Sequence, residues 1–259
     1  MKIRNPYDKE SLFLKKSLKV LEVGPGSNPT RRADVLVERY VDDNFHRRGD
    51  FKLYPHQTLI QGDGENLPFR DGEFDYVICC HVLEHVDNPD IFMKEQFRVA
   101  SKGYIETPSF LGEFLSPKTS HKWVVLEIDN KIVLFEKSKL PYKFNADFGD
   151  FFLNYLPYQS LPFRLLLLSR VNITTVRYEW SGSLEFIINP EDDYYSSFFT
   201  KKWTPEMVRK IFPESSVSTE SKRVIKAFFH LLIEKLMRKL NLYKGPIGLE
   251  EYKIKYGKT

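Results

Sequence analysis

The sequence predicts an α/β fold, a doubly wound and mostly parallel sheet of about seven strands, and three observations carry that expectation. From Lys19 to about Pro108, short apolar runs alternate with segments of helical spacing, the pattern of strands joined by crossovers. The first run, Val20-Leu21-Glu22-Val23, passes straight into Gly24-Pro25-Gly26. Glycines at a strand end accept positive φ and let bare backbone approach a bulky ligand. Further on, Ile173 to Trp180 and Ser183 to Asn189 flank Ser181-Gly182 as a strand pair that supplies an antiparallel edge.

Strands are expected at Lys19 to Val23, Asp34 to Glu38, Thr58 to Gly62, Phe74 to Cys80 and Gly103 to Thr107. A helix opens around His81 to Val86 and resumes from Asn88 to Ala100, with Asn88-Pro89 as start signal and Lys102-Gly103 as stop. Between the first two strands, Asn28-Pro29-Thr30-Arg31-Arg32 leaves too few residues for a full crossover helix. An N-terminal helix around Tyr7 to Lys16 is expected to cover that face.

The rhythm breaks at Lys122 to Lys137, where Trp123 to Ile128 and Ile132 to Phe135 flank Asp129-Asn130-Lys131 as a β-hairpin insertion. Tyr142 to Phe163, aromatic and interrupted by Pro157 and Pro162, reads as a cap of short helices. The last helix, Lys222 to Asn241 with Ser221 as N-cap, spaces Ile225, Phe228, Phe229, Leu232, Leu236 and Leu240 helically among basic residues.

The chain has 259 residues, 42% of them apolar, enough for one large domain spanning 1–259: a cofactor-binding half, 1–110, and a substrate-side half, 111–259. The net charge of +4 is local in origin: residues 201–259 hold fourteen Lys or Arg against six Asp or Glu. Cys79 and Cys80 are adjacent on one strand with side chains on opposite faces, which suits neither a disulfide nor a zinc cage. Leu165 to Leu168 is too short an apolar run to span a bilayer. A cytoplasmic protein is expected.

Four segments in order carry a family likeness: Leu21-Glu22-Val23-Gly24-Pro25-Gly26, the acidic end of the second strand, Gly62-Asp63-Gly64-Glu65-Asn66-Leu67-Pro68-Phe69, and Phe74-Asp75-Tyr76-Val77-Ile78-Cys79-Cys80-His81-Val82-Leu83-Glu84-His85-Val86. Over residues 18–110 the sequence resembles the class I S-adenosylmethionine-dependent methyltransferases, especially the small-molecule group with the ubiquinone and menaquinone enzymes. The resemblance implies a Rossmann-like fold with S-adenosylmethionine as cofactor. It implies cofactor contacts from Glu22, Gly24, Pro25, Gly26 and Asn28, from Asp63 with Gly64 and Glu65, and from Cys80 and His81. A ribose diol asks for a carboxylate at the second strand's tip; Glu38 is the choice, with Asp42 or Asp43 as rival.

Methyl transfer to oxygen or nitrogen often needs a base, and imidazole titrates in the useful range. His81 and His85 follow the fourth strand, and His121 stands beside Trp123 at the hairpin; these are the candidate catalytic residues, with helix capping and hairpin anchoring as the bland alternatives. No Asn-Pro-Pro-Tyr or Asp-Pro-Pro-Tyr follows the fourth strand, which disfavours base or glutamine methylation. No phosphate-loop Lys follows the glycines, and no acidic metal cluster is recognisable. The expected acceptor is a small molecule or glycan, methylated on a hydroxyl oxygen. The basic 222–241 helix is either core, a peripheral membrane contact, or an RNA contact in a tRNA methyltransferase. A non-catalytic cofactor-binding scaffold is the remaining reading.

Overall fold

A parallel sheet carries the first of two units in the computed structural model, which describes residues 1–44, 49–170, 172–240 and 245–257. That unit comprises Met1–Thr107, Arg177–Glu185 and Gly245–Thr259; the second comprises Pro108–Val176 and Phe186–Lys244. The strands in chain order are β1 (Lys2–Arg4), β2 (Val20–Val23), β3 (Val35–Glu38), β4 (Lys52–Leu53), β5 (Thr58–Gln61), β6 (Tyr76–Cys80), β7 (Lys102–Pro108), β8 (Trp123–Ile128), β9 (Lys131–Glu136), β10 (Thr175–Ser181), β11 (Phe186–Ile188) and β12 (Ile247–Gly248). The helices are α1 (Pro89–Val99), α2 (Phe110–Leu115), α3 (Leu156–Gln159), α4 (Leu161–Ser169), α5 (Asp193–Thr200), α6 (Pro205–Ile211), α7 (Val217–Lys239) and α8 (Leu249–Tyr256).

The seven-stranded sheet has the order β1-β10-β7-β6-β2-β3-β5. Its β7-β6-β2-β3-β5 run is parallel throughout, and β1 closes the edge antiparallel to β10. This is the Rossmann-like arrangement expected from the sequence. β2 lies between two parallel neighbours, so all four of its residues are buried, as the near-continuous apolar run requires. Val20, Leu36, Ile78 and Tyr104 join Phe51, Leu53 and Tyr252 in the core beneath it. β12 adds to β4, and the Tyr252 hydroxyl donates to the Gln57 carbonyl at 2.9 Å.

Three expectations about this unit need correction. Residues 7–16 form one 3-10 turn, Lys9–Ser11, capped by Asp8, and no longer helix, because the Lys9 side chain turns inward to a buried partner described below. His81 to Val86 is a turn segment: His81 has φ +56°, which a helix cannot continue through. The strand pair after residue 173 is divided, since β10 joins the large sheet while β11 lies parallel to β9. Residues 24–34, as expected, connect β2 to β3 by turns alone.

In the second unit β8 and β9 form the expected hairpin, closed by Asp129 and Asn130 at φ +51° and +62°, the left-handed pair that a two-residue turn demands. Phe110, Phe135, Phe198 and Phe199 fill the core against it. The helical cap consists of a π-helical turn, Asp150–Tyr155, followed by α3 and α4. α7 starts at Val217, so Ser221 lies inside it and is not its N-cap; the Ser216 hydroxyl accepts from the Thr219 amide instead. Asn241, the expected last residue of that helix, lies outside the described residues. Among the described residues no helix is long and apolar enough to cross a membrane.

Candidate functional site

The glycine turn after β2 is held from both sides. Gly24 and Gly26 sit at φ +65° and +55°, where a side chain would be strained. A Cβ on Gly24 would also come within 2.3 Å of Val82 Cγ2. The Gly24 amide donates to the Val37 carbonyl at 2.8 Å, and the Asn28 amide to that of Pro25 at 3.1 Å. The Gly26 amide donates to Glu38 Oε2 at 3.2 Å, while Glu38 Oε1 accepts from the Tyr40 amide at 3.2 Å. The structure thus brings the strand-end carboxylate to the turn, whereas Asp42 and Asp43 are exposed.

Glu22 is fully buried beneath the turn and is held by internal partners. Lys9 Nζ stands 2.7 Å from Glu22 Oε1, and Thr30 donates to both carboxylate oxygens, from its hydroxyl at 3.0 Å and its amide at 2.5 Å. Lys9 also donates to the Asn28 carbonyl. Burial disfavours the ammonium, but Glu22 outweighs this and raises the Lys9 pKa. Glu22 and Lys9 therefore brace the turn. No sequence signal marked Lys9, since its partner is thirteen residues away across a turn.

Asp63, Gly64 and Glu65 form the loop after β5. Asp63 Oδ1 accepts from the Glu65 amide at 2.9 Å, and Oδ2 lies 3.2 Å from Arg39 with 40% of the side chain exposed. A Cβ on Gly64 would meet Phe92 at 2.5 Å, so this glycine allows α1 to close against the loop. Glu65 Oε1 accepts the Asp87 and Asn88 amides at 2.8 and 3.1 Å, fastening the entry to α1.

At the end of β6, Cys80 is a neutral thiol, its pKa raised by burial and by Glu106. His81 follows, with Nδ1 3.4 Å from Glu84 and Nε2 3.6 Å from Glu106, and with half of its side chain open. Crowding by the protein disfavours a charged ring, but Glu106 and Glu84 outweigh it and raise the pKa to about 10. The shift favours the imidazolium, whose two ring nitrogens face the two carboxylates. Burial raises the Glu106 pKa, but His81 and Arg177 overcome that and hold it at about 2. Tyr104 donates to Glu106 at 2.5 Å, and Arg177 Nε lies 3.5 Å away. Tyr104 and Arg177 were missed because they come from β7 and β10, neighbours only once the sheet is assembled.

His85 Nε2 is 4.0 Å from Glu84 Oε1 with a fifth of its side chain exposed. Glu84 itself is buried and accepts from the Thr107 hydroxyl at 3.0 Å. His121 belongs to the second unit, where it is buried with Nδ1 2.6 Å from Glu113. Glu113 also accepts from the Lys118 amide at 3.0 Å and from Lys137. Burial raises the Glu113 pKa, but His121 and Lys137 outweigh it and hold it low. Glu113 thus gathers His121, Lys118 and Lys137 at the start of the hairpin.

Residues 37–105, from the end of β3 into β7, match the family model for a methyltransferase domain. Over 74 residues the chain is 39% identical to norajmaline N-methyltransferase from Rauvolfia serpentina, covering 28% of this chain and 24% of that protein. Over 66 residues it is 38% identical to an uncharacterized protein of Methanocaldococcus jannaschii, covering 23% and 32%. The chain thus covers less than a third of the length of either relative. A solved S-adenosylmethionine-dependent methyltransferase from Thermotoga maritima, described as a possible histamine N-methyltransferase, aligns over 39% of this chain and 50% of its own, with 24% identity and a TM-score of 0.30.

Proposed function

We propose that this chain, whose fold and matched segment are those of the class I S-adenosylmethionine-dependent methyltransferases, transfers a methyl group to a small polar acceptor, a metabolite or glycan hydroxyl. The cofactor, when bound, supplies a methyl already activated on a sulfonium sulfur. The single observation that carries the reading is Glu38 at the glycine turn. A carboxylate offers about four acceptor positions; the Gly26 and Tyr40 amides use two, leaving room for a vicinal diol.

In this reading Gly24, Pro25, Gly26 and Asn28 present backbone to the cofactor and Glu38 holds its ribose. Asp63, with Gly64 and Glu65, borders the adenine, and Cys80 and His81 line the sulfonium end. Glu22 serves the cofactor indirectly, by bracing the turn. His81, with both ring nitrogens turned to Glu84 and Glu106, borders the acceptor, and His85 is the side chain that takes a proton. Much of the rate then comes from holding the nucleophile in line, because positioning alone supplies about 7–11 kcal/mol in well-oriented systems. An amine nitrogen is the second reading, favoured by the two carboxylates beside His81 and by the name of the Rauvolfia serpentina relative.

Calorimetric titration with S-adenosylmethionine and S-adenosylhomocysteine tests the cofactor site, and no binding of either at millimolar concentration overturns it. Labelled-methyl transfer to matched hydroxyl and amine acceptor panels then decides between the two readings. Tight cofactor binding with no transfer to either panel points to a scaffold subunit instead.

A further inference from the structure

Within the second unit the Asp150–Tyr155 turn, α3, α4 and α7 form a layer with almost no interior. Across the Asp150–Tyr155 turn, α3, α4 and the described side chains of α7, Ala227 alone is buried. Yet these elements are rich in apolar residues. Tyr158 is 76% exposed, and Phe229, Leu232, Ile233 and Leu236 of α7 are each at least half exposed. Apolar side chains left exposed side by side along one helix mark a contact surface.

The direction of each α7 side chain is set by a rotation of about 100° per residue. Glu220, Ala227 and Glu234 form the inner face, where Arg170 pairs with Glu220 at 2.6 Å and Arg164 with Glu234 at 3.4 Å on the α4 side. Ile225, Phe229, Leu232 and Leu236 form the opposite stripe. Lys222 and Lys226 flank that stripe on one side, Lys235 and Lys239 on the other, and all four are exposed. The only acidic residues of α7, Glu220 and Glu234, are both turned inward to arginines. The outward face is therefore apolar along its centre and cationic along both margins.

We infer that this outward face of α7 docks on an anionic lipid bilayer, the helix lying in the plane of the interface. The apolar stripe enters the acyl boundary, and the lysines extend their methylene stems along it to place ammonium groups among the anionic headgroups. A second copy of this chain fits the face poorly. A two-fold contact sets the same patch against itself, so lysine margins would meet lysine margins with no acidic side chain of α7 facing outward to answer them.

Co-sedimentation of the full chain with vesicles tests this inference, using phosphatidylcholine alone and phosphatidylcholine mixed with phosphatidylglycerol. Binding to the mixed vesicles, weak or absent on pure phosphatidylcholine and reversed by high salt, is expected. Lys226→Glu/Lys235→Glu should weaken it by on the order of tenfold or more, and Leu232→Ser/Leu236→Ser should weaken it in low salt as well. All four positions are exposed, so circular dichroism of both variants should match the parent. Equal binding to both vesicle types overturns the inference. So does a stable dimer that ignores vesicles and dissociates on Leu232→Ser/Leu236→Ser.

Discussion

The carboxylate of Glu38 accepts the Gly26 amide at 3.2 Å, so the tip of β3 and the glycine turn after β2 move as one piece. Glu38→Ala removes that clamp together with the acceptor proposed for the ribose. Charge-assisted hydrogen bonds are worth about 1.5–3 kcal/mol each, so cofactor affinity should fall by on the order of ten- to a hundredfold. Asp42→Ala and Asp43→Ala, at exposed positions, should leave it unchanged. Calorimetry checks all three, and the reverse pattern would move the ribose contact to the later aspartates.

Breaking the buried pair under the turn should cost stability before it costs chemistry. Lys9→Met takes the countercharge from the buried Glu22 side chain, a loss of about 3–5 kcal/mol for pairs of this kind. Lys9→Met/Glu22→Gln should recover a substantial part, because no bare charge remains. Urea unfolding of the four proteins in this cycle measures the coupling.

The two loop glycines should fail for different reasons. Gly24→Ala meets both a positive φ and Val82 at 2.3 Å, and the backbone part alone costs about 1–3 kcal/mol. Gly64→Ala collides with the Phe92 ring at 2.5 Å, an overpacking cost of about 1–3 kcal/mol. Phe92→Leu in the second background should relieve that collision, while Val82→Ala in the first should restore only part of the loss. Thermal melts of single and paired variants separate strain from crowding.

His81 gives the protein a specific response to alkaline pH. Its folded pKa of about 10 lies above the ordinary 6.5, so its contribution is complete below about pH 6.5 and is lost as pH rises through about 10. His81→Gln should flatten that limb of the stability curve. Glu106, held at about 2 against an ordinary 4.5, acts in the opposite sense: its contribution is present above about pH 4.5 and fades toward pH 2. Nuclear magnetic resonance checks the histidine directly, since the His81 ring should not titrate between about pH 5 and 8. An ordinary midpoint would mean that the two carboxylates do not hold its proton.

What could be read from the residues was whatever depends on neighbours in sequence. The parallel strands of the large sheet, the Asp129-Asn130 turn and the short link after Gly26 all follow from local spacing and turn chemistry. What escaped depends on residues brought together from far apart. Lys9 gives up a helix to reach Glu22, and His81 turns out of one to meet Glu84 and Glu106. Ile187 leaves the large sheet to pack on the hairpin. In α7, periodicity identified an amphipathic helix, but period alone does not say whether the apolar side faces protein or solvent.

The first unit is threaded from three separate stretches of chain, and that sets a timetable. β1 gains its partner only when Glu179 and Trp180 have been made, and β4 waits for Ile247 and Gly248. During synthesis β1 and β4 therefore wait unpaired until those later segments emerge. A nascent chain halted before Gly245 thus holds the parallel strands of this unit while β4 still lacks the strand that pairs with it.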